Sequence, residues 1–252
     1  MTGILAGQVA VITGSSRGIG LACARLLARE GADLVITARD GARLAEIATE
    51  LSAEHGVKVA SVAVELADPA MATKLREAAD SLGGATILVN NAGIFPSALL
   101  ADSSDAMLTE VMSCNFDSLF RICREIIPGM CERGGGRVVN ITSIAARMPT
   151  PGLALYAASK GAVEAFSRAI AAEVAPTVRV NCVSPGPTLT ETAIAMIESD
   201  TTGAVDAVSQ GIPLQRRGNP EEVAEAVCYL ASARSGWTTG EVMQVNGGVL
   251  MI

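Results

Sequence analysis

The chain has 252 residues, half of them hydrophobic, with only 3% aromatic residues and a formal net charge of −7. This length can bury a large core, and no linker-like or strongly charged run divides the sequence, so the composition predicts a single domain over residues 1–252. The acidic balance and the scarcity of rings argue against a nucleic-acid partner, which needs cations for phosphates and rings for stacking bases.

Cysteine usage and hydropathy favour a reducing compartment away from membranes. The six cysteines are scattered and form no CxxC pair, as expected for reduced core residues. No apolar run approaches the ~18 residues of a membrane span, and the first cation is Arg17, so the amino terminus lacks a basic targeting region. We therefore expect a cytoplasmic protein without membrane contact. The single histidine, His55, is expected at a helix end, and no metal site is expected.

A glycine-rich loop follows the first predicted strand, residues 8–12. Its sequence is Thr13-Gly14-Ser15-Ser16-Arg17-Gly18-Ile19-Gly20, and a helical stretch comes next. Strand, glycine loop and helix form the layout of dinucleotide-binding folds, although the spacing departs from the general GxGxxG. Gly14 permits a tight turn, and Gly18 and Gly20 let backbone N–H groups and the helix N-terminus approach a pyrophosphate.

Runs rich in β-branched residues then alternate with helical stretches to the end of the chain. Further strands are predicted near residues 34–37, 57–64, 87–90, 137–141, 178–183 and 242–245. Further helices are predicted near residues 43–55, 69–82, 105–130, 153–174 and 220–231. Seven strands alternating with helices predict an α/β fold, a Rossmann-type doubly wound parallel sheet with helices on both faces. Ligands of such sheets bind beyond the carboxyl ends of the strands.

The end of the second strand bears on the choice of nicotinamide cofactor. Sites that prefer NAD usually place a carboxylate about twenty residues after the glycines, where it bonds the ribose 2′-hydroxyl. This chain has Ala38 there, followed by Arg39. Arg39 and Arg17 could together bind a 2′-phosphate, which predicts NADP. Two solvated arginines are the alternative, and the neighbouring Asp40 weakens the argument without reversing it.

Tyr156 and Lys160 lie at helical i, i+4 spacing, which places phenol and ammonium on the same helix face. A nearby cation favours the phenolate, so Lys160 is expected to lower the pKa of Tyr156 and make it a general acid or base. For this spacing alone, a surface pair is the alternative. Asn115 lies inside an apolar helical run and is either a helix irregularity or a functional amide.

Six motifs occur in the order and approximate spacing of the short-chain dehydrogenase/reductase family. They are Thr13-Gly14-x3-Gly18-Ile19-Gly20, Asn90-Asn91-Ala92-Gly93, Asn115, Ser143, Tyr156-x3-Lys160 and Asn181-Cys182-Val183-Ser184-Pro185-Gly186. Over nearly its whole length the chain resembles the single-domain branch of that family. It is most similar to 3-oxoacyl reductase-like members, through Ile212-Pro213-Leu214, residues 220–224 and Asn246-Gly247-Gly248.

The resemblance implies a catalytic tetrad of Asn115, Ser143, Tyr156 and Lys160. Tyr156 would be the general acid in reduction, Ser143 would hydrogen-bond the substrate carbonyl, and Lys160 would hold the nicotinamide ribose. Asn115 would hold a water that relays protons between Lys160 and solvent. Residues and resemblance together predict a cofactor site formed by Gly14, Ser16, Arg17, Gly18, Ile19, Gly20, Arg39, Glu65, Leu66, Asn91, Ala92, Gly93, Tyr156, Lys160, Pro185, Gly186, Thr188 and Thr190.

The predicted function is therefore reduction of a ketone or 3-oxoacyl-type carbonyl to a secondary alcohol with NADPH. The alternatives are an NAD-linked alcohol dehydrogenase and a nucleotide-binding regulatory protein; the complete tetrad disfavours the second. Acyl-carrier-protein reductases tend to carry an arginine before the glutamate in the helix after the tyrosine. This chain has Ala172 before Glu173, with Arg133 as the remaining nearby cation, which disfavours a carrier-bound substrate. The family usually has an Asp at the end of the third strand that binds the adenine amino group. Here Glu65, which precedes Leu66 and is one methylene longer, would make that contact from a displaced position.

Residues 189–212 are expected to form a mobile lid over the site. An apolar ketone pocket is suggested by Phe95, Ile144, Ala145, Met148, Leu153, Ala193, Ile194, Met196, Ile197, Val205 and Val208, with core packing as the alternative. Arg147 either receives an anionic group or is solvated. The resemblance implies a homotetramer, or a homodimer, formed through helices 105–130 and 153–174. The apolar tail, residues 249–252, would pack against a neighbour or its own subunit.

Overall fold

A seven-stranded parallel sheet forms the centre of the structure, a computed structural model that describes residues 3–199 and 211–252. The strands are β1 (Val9–Thr13), β2 (Asp33–Ala38), β3 (Val59–Ala63), β4 (Ile87–Asn90), β5 (Gly136–Ile141), β6 (Val178–Pro185) and β7 (Val242–Val245). They lie in the order β3-β2-β1-β4-β5-β6-β7, and each pairing is parallel. The predicted fold class and its seven strands are confirmed, with β3 shorter at both ends than expected.

Helices connect successive strands, as a parallel sheet requires. They are α1 (Gly18–Arg29), α2 (Gly41–His55), α3 (Met71–Asp80), α4 (Asp105–Met112), α5 (Ser118–Glu132), α6 (Ala154–Val174), α7 (Glu191–Ser199) and α8 (Pro220–Ala231). The prediction of one uninterrupted helix over 105–130 is wrong, because a π-helical turn, Ser113–Asp117, separates α4 from α5. Such a turn inserts an extra residue into the helix, and hydrophobic periodicity alone does not reveal it.

Two apolar layers enclose the sheet, and alternate residues of each strand belong to different layers. In β1, Ala10 and Ile12 pack with α1, α2 and α8, whereas Val9 and Val11 pack with α3, α5 and α6. All five residues of β1 are buried, which explains why its sequence is a continuous run of small and branched side chains rather than an alternating one.

The strand order reverses between β1 and β4, and this crevice positions the functional residues. From β1 the sheet continues through β2 and β3 on one side and through β4 to β7 on the other. The connections that leave β1 and β4 therefore diverge, and the carboxyl ends of the strands open into a cleft, the usual ligand site of doubly wound sheets. No helix in the described part of the chain is long and apolar enough to cross a bilayer. All six cysteines carry free thiols.

Candidate active site

The glycine loop between β1 and α1 packs tightly against its own backbone. Gly14 (φ 69°) and Gly18 (φ 54°) adopt left-handed conformations that disfavour a side chain. A Cβ atom at Gly20 would lie 2.1 Å from the carbonyl oxygen of Gly14, so only glycine fits there. Arg17 is the N-cap of α1, but its side chain makes no capping hydrogen bond. The first amides of α1 are thus available to an anionic group such as a pyrophosphate.

Asn91, directly after β4, holds this loop in place through hydrogen bonds. Its Nδ2 donates to the carbonyl oxygens of Thr13 at 2.9 Å and Gly14 at 3.2 Å. The backbone amides of Asn91 and Ala92 both donate to Thr13 Oγ1 at 3.0 Å. Both hydrogens of the Asn91 amide are therefore committed to the protein, and this side chain shapes the cofactor cradle.

Two arginines border the cleft near the ends of β1 and β2. Arg17 and Arg39 are both exposed. The carboxylate of Asp40, which adjoins Arg39, accepts a hydrogen bond from the amide of Arg43 at 3.0 Å as the N-cap of α2. Asp40 is therefore engaged by the helix end, which makes it a weaker competitor for Arg39 than the sequence suggested.

The ends of β2 and β3 converge beside the π-turn. Burial raises the pKa of the Cys114 thiol, Glu110 and Glu65 add to the rise, and Arg39 opposes it, so all of these groups lie near one another. Glu65 is exposed, and Leu66 is partly buried against the core. At this edge Glu65 could therefore reach a ligand with its side chain, whereas Leu66 could contribute only backbone.

Ser143 follows β5 and begins a short 3-10 turn, Ile144–Ala146. Its Oγ accepts a hydrogen bond from the amide of Ala145 at 3.1 Å, which fixes the serine side chain at the start of the turn. The Ser143 hydroxyl also lies close enough to the Tyr156 phenol to oppose the rise in its pKa. The turn and α6 thus bring together two groups that are thirteen residues apart in sequence.

Lys160 lies one turn after Tyr156 on α6 and is 5% exposed. Its Nζ donates to the carbonyl oxygen of Ile141 at 2.8 Å and lies 5.9 Å from the centre of the Tyr156 ring. Burial lowers the pKa of Lys160 to about 8, because a desolvated ammonium is destabilised. The lysine can therefore exchange its proton near neutral pH.

The pKa of Tyr156 corrects one expectation from the sequence. Burial raises this pKa, and the hydrogen bond with Ser143 opposes the rise. Lys160 was expected to lower it, but the ammonium donates to Ile141 rather than to the phenol oxygen. Desolvation outweighs the opposing effect of Ser143 on this pKa, so the phenol stays protonated at neutral pH.

Asn115 occupies the centre of the π-turn and is 2% exposed. Its Oδ1 accepts from the amide of Ile94 at 2.8 Å, and its Nδ2 donates to the carbonyl of Ile94 at 2.8 Å and to Ser159 Oγ at 3.0 Å. A Cβ at Gly93 would lie 2.9 Å from Asn115 Oδ1 and 3.6 Å from Lys160 Nζ. Gly93, Asn115 and Lys160 therefore lie close together. The helix is irregular here, which is one of the two alternatives that the sequence left open for Asn115.

The segment after β6 folds back over the glycine loop. The amide of Leu189 donates to the carbonyl of Gly218 at 2.8 Å, and Thr188 Oγ1 donates to the carbonyl of Gly186 at 2.9 Å. A Cβ at Gly18 would lie 3.2 Å from Thr190 Cγ2. The predicted cofactor residues at the ends of β1 and β6 are thus in contact.

Arg147 and Arg133 both differ from what the sequence suggested. Arg147 is exposed, but its Nε donates to Glu164 Oε2 at 2.8 Å, so the guanidinium is ion-paired rather than simply solvated. Arg133 donates to the carbonyl of Ala85 at 2.9 Å, just before β4, and so lies at the opposite edge of the sheet from the catalytic residues. It is therefore not a cation of the site.

The apolar wall expected around the substrate is described only in part. The Phe95 ring meets the Tyr156 ring edge-on, with centroids 6.1 Å apart, and is 43% exposed. Helix α7 fills the first part of the predicted lid. Residues 200–210, including Val205 and Val208, and the side chain of Met196 lie outside the described part of the chain.

Ile94, Ile141, Ser159 and Glu164 support the site but were missed from the sequence. Ile94 and Ile141 act through backbone atoms, which no side-chain pattern reveals. Ser159 donates to the carbonyl of Tyr156 at 2.7 Å while it accepts from Asn115. A polar residue on the apolar side of a helix was the available signal for Ser159 and Glu164. The described residues contain no group of three or more potential metal ligands.

The chain is similar to known proteins over nearly its whole length. A family model described as enoyl-(acyl carrier protein) reductase matches residues 14–250. The 3-oxoacyl-[acyl-carrier-protein] reductase FabG of Vibrio cholerae is 37% identical over 98% of this chain and 99% of its own. Nodulation protein G of a Rhizobium species is 39% identical over the same shares. L-sorbose reductase from Gluconobacter frateurii, solved with NADPH and L-sorbose, is 37% identical, covers 100% of this chain and 99% of its own, and superposes with a TM-score of 0.91.

Proposed function

The chain belongs to the short-chain dehydrogenase/reductase family, and we propose that it reduces a ketone or 3-oxoacyl-type carbonyl to a secondary alcohol with NADPH. One observation carries this proposal: the Ser143 hydroxyl is close enough to Tyr156 to oppose the rise in its pKa, while Lys160 is buried one turn away, at the carboxyl edge of the sheet. A regulatory protein that only binds nucleotides could use Lys160 to hold a ribose but would gain nothing from a serine hydroxyl beside the phenol of Tyr156.

Each catalytic group has a distinct task in the proposed reaction. When bound, the reduced nicotinamide supplies a hydride to the carbonyl carbon. Ser143 donates a hydrogen bond to the carbonyl oxygen as negative charge develops there, and Tyr156 transfers its proton to the same oxygen. Since burial raises the pKa of Tyr156, the phenol is protonated at neutral pH, which is the form that reduction requires.

Lys160 and Asn115 complete the proton supply in this proposal. The pKa of Lys160, lowered to about 8, lets the ammonium release and regain a proton near working pH and so replenish Tyr156. Asn115 holds the Ile94 backbone beside Lys160, where we assign the relay water. Lys160 would also hold the nicotinamide ribose.

The cofactor preference rests on charge. Arg17 and Arg39 are exposed at the cleft, and the nearest acid along the chain, Asp40, is engaged as the cap of α2. Guanidinium groups bind phosphate oxygens through paired charge-assisted hydrogen bonds, so this edge suits a 2′-phosphate. The structural relative with bound NADPH supports the same choice.

The ketone is proposed to be free rather than carrier-bound. Phe95, which is 43% exposed, offers an apolar surface next to Tyr156. Arg133 points away from the site, and the charge of Arg147 is balanced by Glu164, so both are poor anchors for an acidic carrier protein.

A homotetramer, or a homodimer, in the cytoplasm is the proposed working form. Met251 and Ile252 are 75% and 72% exposed, so the last two residues of the apolar tail are available to a neighbour, whereas Leu250 accepts a hydrogen bond from Asn246 of its own subunit. Phe120, on the outer surface of α5, is 37% exposed and favours pairing through that helix. The six free thiols suit a reducing compartment.

Titration with NADPH and with NADH, followed by a panel of β-keto esters, quinones and sugar ketones, tests the proposal. We expect tighter binding of NADPH, and in Arg39→Asp a loss of NADPH affinity of at least about tenfold with NADH unchanged. Arg25→Asp is the matched control, since Arg25 is exposed and pairs with Glu50. Turnover should be lost in Tyr156→Phe. A preference for NADH would reassign the cofactor, and binding without turnover of any ketone would favour the regulatory alternative.

A further inference from the structure

An ion pair between an exposed arginine and a buried glutamate links the turn that carries Ser143 to the helix that carries Tyr156. Arg147 Nε donates to Glu164 Oε2 at 2.8 Å, and the glutamate side chain is 4% exposed. Oε1 of Glu164 has no hydrogen-bond partner in the described part of the chain. Arg168, one turn further along α6, lies 3.7 Å from Oε2 and is half exposed. The carboxylate therefore depends mainly on Arg147.

The backbone connects both ends of this link rigidly to the catalytic groups. The amide of Ala146 donates to the carbonyl of Ser143 at 3.0 Å, and the amide of Arg147 donates to the carbonyl of Ile144 at 2.9 Å. Arg147 is thus the last residue of the turn that Ser143 begins. Glu164 follows Tyr156 by eight residues on α6, so both lie on the same helix face.

We propose that the Arg147–Glu164 pair is a positioning device that holds the Ser143 hydroxyl in register with the phenol of Tyr156. This inference rests on the proposed function for the role of Tyr156. Ser143 is anchored on one side by β5, and its turn has no other ion pair to α6 among the described residues. Desolvation of the Glu164 carboxylate offsets much of the attraction in this pair, so the pair contributes little net stability and its main effect is geometric.

The ionisation of Tyr156 reports this register without any substrate or cofactor. The chain has two tyrosines, so Tyr229→Phe leaves Tyr156 as the only one. Incorporation of 3,5-difluorotyrosine makes the phenol more acidic and allows titration by fluorine NMR while the protein stays folded. The groups that face Tyr156 are Ser143, Lys160 and the ring of Phe95. Lys160 and Phe95 are kept in every variant.

The test is a double-mutant cycle between Arg147→Gln and Ser143→Ala. A hydrogen bond to the charged form favours it, so each single replacement should raise the titration midpoint of Tyr156 by about one pH unit. If the ion pair acts through Ser143, the double variant should match Ser143→Ala alone. Arg168→Gln, which removes a cation beside the same carboxylate, is the matched control and should leave the midpoint unchanged.

Two results would overturn the proposal: an unchanged midpoint in Arg147→Gln, or a double variant whose shift equals the sum of both single shifts. If Arg147→Gln does not fold, Arg147→Met/Glu164→Leu removes both charges together and leaves no uncompensated carboxylate in the core. This double variant should show the same rise in the titration midpoint of Tyr156, and a midpoint equal to that of wild type would again overturn the proposal. Because no turnover is measured, a failure of the proposed reductase activity remains separate from a failure of the positioning role.

Discussion

Replacing Lys160 with methionine is expected to stabilise the fold while it abolishes catalysis. The ammonium is buried, with one hydrogen bond to the carbonyl of Ile141, and burial lowers its pKa from 10.5 to about 8. That difference corresponds to about 3 kcal/mol of preference for the neutral form. Loss of the hydrogen bond to Ile141 destabilises the variant by about 1 kcal/mol. The free energy of unfolding should therefore rise by a net amount of about 2 kcal/mol at pH 7.

The sign of the pH dependence makes this prediction specific. Below pH 8 the folded protein must bury a charged lysine, so the desolvation penalty of the ammonium lowers the free energy of unfolding of wild type in full. Between pH 8 and 10.5 the folded state releases the proton before the unfolded state does, so wild-type stability rises with pH. Above pH 10.5 both states are neutral at this residue. The advantage of Lys160→Met should therefore be largest at pH 7, vanish near pH 10 and reverse above it, where only the lost hydrogen bond remains.

Guanidinium unfolding of both proteins at pH 7, 8, 9 and 10 measures the effect. In a chain of this length, about 2 kcal/mol should also raise the Tm by roughly 4–8 °C at pH 7. Lys58→Met, at an exposed lysine, is the matched control and should change stability little. A Lys160→Met protein that is less stable than wild type at pH 7, or an offset that does not change with pH, would refute the reasoning.

Three further replacements probe the surroundings of the site. Asn115→Ala removes three hydrogen bonds and leaves the Ile94 backbone unpaired, so we expect a loss of about 3 kcal/mol and a Tm lower by roughly 10 °C in calorimetry. Gly93→Ala places a methyl group 2.9 Å from Asn115 Oδ1, and turnover should fall at least about tenfold while the fold by circular dichroism persists. Glu222→Gln should lower the Tm near pH 6, because hydrogen bonds from Arg216 and the Asn219 amide lower the pKa of Glu222 from 4.5 to about 2. That difference in Tm should disappear as the pH falls from 4.5 to about 2, where wild type also becomes neutral.

Most of the fold was predictable because each strand carries its own local pattern. Residues 9–13 form a short run of small and β-branched side chains followed by glycines, which identifies both the strand and the loop after it. Helix α8 begins with Pro220 and ends near its predicted residue, since proline suits a first helical turn. These signals depend on neighbours in sequence, so no tertiary contact was needed to find them.

The π-turn and the Arg147–Glu164 pair depend on contacts between distant segments. Asn115 is drawn inward by the backbone of Ile94, twenty-one residues earlier, and no helical periodicity encodes that partner. Arg147 and Glu164 are seventeen residues apart on different elements. The pKa of Tyr156 was predicted in the wrong direction because spacing shows that Lys160 is near but not where its ammonium points.

Hydride transfer from NADPH to a ketone is the central claim, and a deuterium label tests it most directly. Wild type, incubated with NADPH deuterated at the reactive position of the nicotinamide and with the best ketone of the panel, should yield an alcohol with one deuterium on the carbinol carbon. Tyr156→Phe should bind NADPH equally well and yield almost none. Tight NADPH binding by wild type without deuterium in any alcohol product would contradict the assignment of this site as a reductase.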